Sequence, residues 1–477
     1  MATGVRRTLQ GVLVAAAVVG AWFLATHVSP RPFWHDVFDL RVYRGAVRWW
    51  LHGRPVYDFV RPHTEKGFTY PPFAVLVLLP LGLGTQTTAT VLLTAVSCVL
   101  IVVTTWWLVA PVADRHGWPR WVALGVAVPL TVAMDPVRQI LGWGQIDLVV
   151  AALVLLDVAG LQRNRPWAGV GIGLATAIKV TPGLFLLYLA LTRRWRAAAV
   201  AAGVVAGTAL VGLAVDPSPR YWTRVLWQTG RVGPPTDPND QSLLGLLARL
   251  AAPGAPGRAV WLGLAGVALV IGLTRATLLF RRGDDLAGTT VTGLTACLIS
   301  PISWVHHLYW VVPALVVLVD VAAGTPVAGP DGLRRARVAA GGAALVVAGA
   351  FGGSLIWFFT AAPGGPGTAL GVNAYVLLVL ALVLFLPARG LSRTACARTM
   401  QPHGHRADSR RPAEAPARAG AVAPRDLPGG RRRGRRGVAA APAAQGHGRA
   451  PGLRRRHRDD RRAAAAVPAA AAGTVGS

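Results

Sequence analysis

Charge is scarce in this chain. Only 14% of its 477 residues are Asp, Glu, Lys or Arg, 53% are hydrophobic, and mean hydropathy is +0.46. A soluble domain carries about 25% charge. Lysine is nearly absent: Lys66 and Lys179 are the two in the chain, and arginine supplies every other fixed basic charge. Cysteine is reduced to Cys98, Cys297 and Cys396. They are scattered and two lie in apolar runs, which argues against a disulfide framework or a cysteine metal site. There is no glycine-rich phosphate loop, zinc-ligand spacing or nucleophile elbow, and GLATAIK (173–179) lacks the P-loop pattern. No soluble domain of useful size is visible, which excludes a nucleotide site of Rossmann type. The apolar segments do not alternate, which excludes a transmembrane β-barrel.

What remains is a series of long apolar runs from Val12 to Leu386. They predict an all-α polytopic membrane protein. Helices are expected near 9–28, 71–84, 87–111, 119–134, 143–161, 167–178, 180–192, 197–215, 259–280, 286–301, 305–323, 338–359 and 369–387. The net charge is +29. It sits in an Arg-rich end and in short clusters between runs, a topogenic pattern and not a nucleic-acid surface. Arg163/Arg165, Arg193/Arg194/Arg196, Arg281/Arg282 and Arg334/Arg335/Arg337 read as cytoplasmic. The long connections 29–70 and 216–258 then fall on the opposite side. Thirteen full crossings would put the basic end outside. One short run in 71–134 is therefore expected to be re-entrant, or two to form one broken crossing, giving about 12 effective crossings with both termini cytoplasmic. Arg6 and Arg7 before Val12–Ala25 resemble a signal peptide, but read better as an uncleaved first helix.

The expected division is a membrane domain over 1–388 and a tail over 389–477. The tail is rich in Arg, Ala and Pro and has no Trp, Tyr or Phe, so it is expected to be a disordered cytoplasmic segment. Its RRRGRR and RRRHRDDRR runs suit contact with anionic lipid.

The chemistry is expected to gather in the first long connection and around one lysine. Asp36 and Asp39 stand three positions apart, on one helical face. A carboxylate held beside apolar groups has its pKa raised and suits a general base; the plainer role is to cap an amphipathic helix over 37–51. Residues 167–192 lie between two basic clusters and must enter and return, as two helices of about 12 residues spanning ~18 Å each. Lys179, Thr181 and Pro182 fall at the turn, inside the protein, where irregular backbone is tolerated if it lines a cavity. A lysine there suits a phosphate. His306 and His307, in SPISWVHHLYW, sit at a joint between two helices; being adjacent, only one is expected to enter a cavity. Gln145 and Asp147, in GWGQID, mark a helix start. Tyr43, Trp49, Trp50, Tyr57, Phe59, Phe68 and Tyr70 form either an interfacial belt or a platform for sugar rings and prenyl chains. NDQSLLGLLARL (239–250) reads as a capped amphipathic helix lying in the interface.

Taken in order, FDLRVYRGAVRWWLHGRPVYDF, FTYPPFAVLVLLPL, GWGQIDLVVAALVL, AIKVTPGLFLLYLALTRRWR, NDQSLLGLLARL and SPISWVHHLYW resemble the motif series of glycosyltransferase family 87 over about residues 10–385. The resemblance implies a type C glycosyltransferase (GT-C) fold and an inverting α-(1→2)-mannosyltransferase of the extracytoplasmic face of the plasma (inner) membrane. It implies a polyprenyl-phosphate-mannose donor and a glycolipid or glycan acceptor. In this match Asp39, in DLRVY, is the general base and Asp36 the alternate. Lys179, His306 and His307 face the donor phosphate, and Tyr43, Tyr70 and Gln145 hold substrate. Cationic side chains can neutralise the leaving phosphate, so neither a metal nor another cofactor is expected. The competing class is a transporter or flippase of lipid-linked sugar, which predicts inverted repeats and paired midplane charges; neither is visible in the sequence.

Overall fold

The computed structural model describes residues 2–28, 36–327, 333–361 and 367–390. The expectation of a disordered tail falls outside the described residues from 391 onward. Among the described residues the regular elements are all helices. Its elements are α1 (Ala2–Phe23, continued by a wider turn over Leu24–Val28), α2 (Phe38–Leu51), α3 (Pro72–Leu83), α4 (Gln86–His116), α5 (Arg120–Ala133), α6 (Asp135–Trp143), α7 (Asp147–Gln162), α8 (Val170–Ile178), α9 (Leu184–Leu191) and α10 (Trp195–Gly212). They are followed by α11 (Arg220–Thr223), α12 (Leu243–Ala251), α13 (Arg258–Arg281), α14 (Asp285–Ile299), α15 (Val311–Ala323), α16 (Leu333–Gly352), α17 (Leu355–Ala361), α18 (Thr368–Val372) and α19 (Ala374–Phe385).

Among the described residues, five helices are long and apolar enough to cross a membrane: Gly4–Val28, Gln86–His116, Trp195–Gly212, Arg258–Arg281 and Val305–Ala323. α5 and α6 pass the same test only as a pair, bent by 66°. The expected helix over 143–161 therefore starts later, at Asp147, because residues 135–143 form a separate element. The bend is fixed by chemistry. Pro136 opens α6, and the Asp135 carboxylate, 1% exposed, accepts from Trp357 Nε1 and Tyr375 Oη at 2.9 Å each and from Gln139 Nε2 at 3.2 Å. A buried carboxylate persists only when its oxygens are satisfied in this way.

The break expected at Lys179 is present. α8 ends at Ile178, Lys179 is extended (φ −145°, ψ 128°), and Thr181–Gly183 forms a single tight turn before α9. Pro182 lacks the amide that would bond the Ile178 carbonyl four residues back, and its ring crowds that carbonyl, so the ladder of α8 stops there.

Two long connections pack on the helices. Ser242 caps α12 by accepting from Gly245 N at 2.9 Å. The start of this helix is not on the surface, however: Asp240, Gln241 and Ser242 are fully buried. Asp240 accepts from the backbone of Ser303 at 2.8 Å and of Ser242 at 3.0 Å. Gln241 accepts from Val376 N and donates to Val372 O, both at 2.9 Å. The motif thus ties the 216–258 connection to the segment that carries His306 and His307.

At the other end of the chain, Arg389 is 4% exposed. Its guanidinium meets Asp284 at 2.6 Å and Asp320 at 3.1 Å. The compact part therefore runs through Arg389, one residue into the stretch expected to be tail.

Candidate active site

The site begins with an irregular turn. Asp36 (φ 60°) and Val37 (φ 44°) both occupy the left-handed region, which is costly for a β-branched residue and characteristic of functional sites. Val37 N donates to Gly142 O at 3.2 Å, so the head of α2 is tied to the end of α6. Gly144 (φ +68°) then turns the chain between α6 and α7; a side chain there would come within 2.8 Å of Leu40 Cβ. This close approach places Gln145 against α2.

Asp39 follows on the first turn of α2 and lines a cavity of about 530 Å³ together with Tyr43, Tyr70, Gln145, Lys179 and His307. Residues from α2, the connection after it, the α6–α7 turn, the α8–α9 break and the joint before α15 thus share one wall. Burial raises the Asp39 carboxyl to about 7; a hydrogen bond from Gln145 and the charge of Lys179 oppose the rise, and Asp147 adds to it. Asp36 does not line this cavity. It is exposed and pairs with Arg41 at 2.5 Å.

Tyr43 Oη bonds Gln145 Oε1 at 2.5 Å and Tyr70 Oη at 2.7 Å. The two rings meet edge-on, 5.2 Å apart. Of the remaining aromatic residues of the connection, Tyr57 and Phe68 follow neither expected alternative. Tyr57 and Phe68 are buried, packed at 6.1 Å from one another and, for Tyr57, 5.4 Å from Tyr221. Trp49 and Trp50 donate to the Pro55 and Val215 carbonyls at 3.1 and 3.2 Å. Tyr57, Phe68 and Tyr221 form the core of a loop layer, because a long connection cannot hold a shape without burying apolar side chains of its own.

Lys179 Nζ lies 2.6 Å from Asp147 Oδ1 and 5.7 Å from the centre of the Tyr70 ring. The second oxygen of Asp147 is buried without a hydrogen-bond partner and stands 3.8 Å from His306 Nε2. His306 is 2% exposed, and neither of its ring nitrogens has a hydrogen-bond partner. His307, packed edge-on against it at 4.6 Å, is the histidine that reaches the cavity wall. A smaller space of about 40 Å³ lies behind, lined by Asp147, Lys179, Ser303 and His307 among others.

Sequence reasoning placed Asp147 at a helix start but did not see it as the partner of Lys179. A signal was there: both are isolated charges inside apolar sequence, and such charges pair. Asp147, His306 and His307 also offer one ligand atom each within 4.8 Å of one another, the donor set of a two-histidine, one-carboxylate metal site. Lys179 already holds a positive charge against that carboxylate, and a metal ion would have to share it with the ammonium.

A membrane-embedded helical protein whose isolated carboxylate, lysine and histidine face one cavity is an enzyme of the lipid bilayer. The chain belongs to glycosyltransferase family 87, whose sequence profile matches residues 68–301. That segment includes Tyr70, Gln145 and Lys179; Asp39 and the two histidines lie outside it. The chain is 34% identical over 346 residues to a polyprenol-phosphate-mannose-dependent alpha-(1-2)-phosphatidylinositol mannoside mannosyltransferase of Mycolicibacterium smegmatis, covering 66% of this chain and 76% of the relative. The Mycobacterium tuberculosis H37Rv protein of the same name is 33% identical over 64% of this chain and 74% of its own. A phosphatidylinositol pentamannoside mannosyltransferase of M. tuberculosis CDC 1551 is 30% identical, over 66% and 73%. No solved structure matches.

Proposed function

We propose that this glycosyltransferase moves a mannosyl residue from polyprenyl-phosphate mannose to a hydroxyl of a glycolipid acceptor, giving an α-(1→2) linkage with inversion. The observation that carries this reading is the common cavity of Asp39, Lys179 and His307, in a chain whose relatives are named for that donor. Asp39 takes the proton of the acceptor hydroxyl. The oxygen attacks the anomeric carbon, the bond from that carbon to the phosphate oxygen breaks, and the phosphate leaves on its prenyl chain. Lys179, backed by His306 and His307, offsets the charge that grows on the phosphate. Tyr43, Tyr70 and Gln145 position the sugars and Asp39. The fold is of the GT-C type, with about 12 crossings, as the apolar runs of the sequence suggest. The site lies on the extracytoplasmic side of the plasma membrane, with both termini inside, following the arginine clusters. The membrane domain and the basic tail divide near residue 389. The test is mannosyl transfer from radiolabelled polyprenyl-phosphate mannose to membrane lipid in membranes with and without the protein; no protein-dependent mannolipid would refute the reading.

Two outcomes follow from the local chemistry. The base works only when deprotonated. With its carboxyl near 7, kcat/KM should rise with pH and level off above neutrality, falling about tenfold per pH unit on the acid side. A flat profile from pH 5 to 8 would remove Asp39 from that role. Transfer should also survive EDTA and gain nothing from added Mn²⁺. A loss reversed by metal would shift the charge role from Lys179 to an ion held by Asp147 and the two histidines.

A further inference from the structure

The cavity holds more positive charge than one donor phosphate requires. Lys179 is matched by Asp147. Lys66 and Arg231 line the same cavity, and neither joins an ion pair among the described residues. They come from different connections, and both are held in place. Lys66 sits in a small turn closed by the Val60–Gly67 bridge and by Arg61 N donating to Lys66 O at 2.8 Å. Arg231 donates to the carbonyls of Tyr57 at 2.9 Å and Phe59 at 3.2 Å, and its Nε is buried without a partner.

Two glycines clear the space around these groups. A side chain at Gly67 would meet Arg231 Nη2 at 2.1 Å, and one at Gly233 would meet the Trp304 ring at 2.6 Å and Lys66 Nζ at 3.0 Å. The carboxylates of Asp237, Glu65 and Asp39 act on Lys66 and that of Asp58 on Arg231, but none is within ion-pair distance among the described residues, and an anionic ligand between the two partly buried cations offsets the cost of holding them there. Lys66 and Asp39 line the same cavity, so an anion bound here shares that cavity with the hydroxyl that Asp39 activates. Trp304 lines the cavity beside Lys66, and its indole is suited to a ring of the same ligand.

We infer that Lys66 and Arg231, with Trp304 beside them, form a subsite for the phosphodiester of an anionic acceptor head group. The inference rests on the glycosyl-transfer reading of this cavity and adds the place where the acceptor's charge is held.

The test pairs two acceptors in nanodiscs of neutral lipid, with polyprenyl-phosphate mannose as donor: a phosphatidylinositol mannoside, and an alkyl glycoside carrying the same mannose without phosphate. Lys66→Ala should raise KM for the phosphate-bearing acceptor about 10-fold, an effect that shrinks as salt is added and is restored by Lys66→Arg. KM for the neutral acceptor and for the donor should stay within about twofold. Wild-type protein gives a second reading that needs no variant: soluble glycerophosphoinositol should compete with the anionic acceptor, and inorganic phosphate at equal ionic strength should not. Equal losses on both acceptors, a shift in donor KM alone, or no competition by the head group would each overturn the subsite while leaving mannosyl transfer intact. Failure of wild-type protein to use either acceptor would instead sink the transfer reading, and the subsite with it.

Discussion

Asp39→Asn should lower mannosyl transfer by at least about 100-fold, the usual contribution of a positioned general base, while the protein still inserts and folds. Asparagine keeps the shape of the side chain and its hydrogen bond to Gln145 but cannot take a proton. The neighbouring carboxylate supplies the control. Asp36 is exposed and paired with Arg41, outside the cavity wall, so Asp36→Asn should keep activity within about threefold, as exposed ion pairs contribute little. Initial rates with radiolabelled donor, read beside the thermal unfolding midpoint in detergent, separate loss of chemistry from loss of fold. Turnover near wild type in Asp39→Asn would remove the base from this mechanism. A loss matched by Asp36→Asn would point to disruption of the turn that both residues share.

The second large effect is expected at the Lys179–Asp147 pair. Lys179→Met should cut kcat/KM for the donor by about 100- to 1,000-fold, as when a group that stabilises transition-state charge is removed. It also strands Asp147, whose second oxygen already lacks a partner. Breaking a buried pair from one side costs about 3–5 kcal/mol, whereas replacing both partners with apolar groups is often neutral. Lys179→Met combined with Asp147→Leu should therefore recover the unfolding midpoint and remain inactive. Recovery of both would make the pair a structural element only; recovery of neither would show that Asp147 supports the fold through more than its lysine. Arginine at 179 keeps the charge but replaces a compact ammonium with a planar fork, and should restore only part of the donor kinetics.

How far the sequence reveals this arrangement depends on the range of the forces involved. The helices were legible because their apolar runs are local, and the break at Lys179 because proline acts on its own neighbours. Asp39 was legible through a motif and Lys179 through its rarity. The Lys179–Asp147 contact was not, since it joins residues 32 positions apart with no periodic pattern to announce it. The same holds for the separate α6. Its bend depends on Asp135 meeting Trp357 and Tyr375, more than 200 positions away, and composition alone left 135–142 as a connection between two helices. The aromatic connection misled for a related reason. A Tyr at a lipid boundary and one in a small loop core have the same sequence signature, and only the stacking of the buried Tyr57 on the distant Tyr221 distinguishes them.

Arg389 bears on where the protein can be shortened. Asp284 is fully buried, and three of its contacts come from the backbone and guanidinium of Arg389. A version ending at Ala388 would look, by composition, like a clean removal of the basic tail. It would instead leave the Asp284 carboxylate enclosed without the cation that neutralises it, and would withdraw from Asp320 one of the arginines it shares with Arg115. The residue that looks like the first of the tail is the counter-charge that closes the membrane domain, and a truncation intended to leave that domain intact has to keep it.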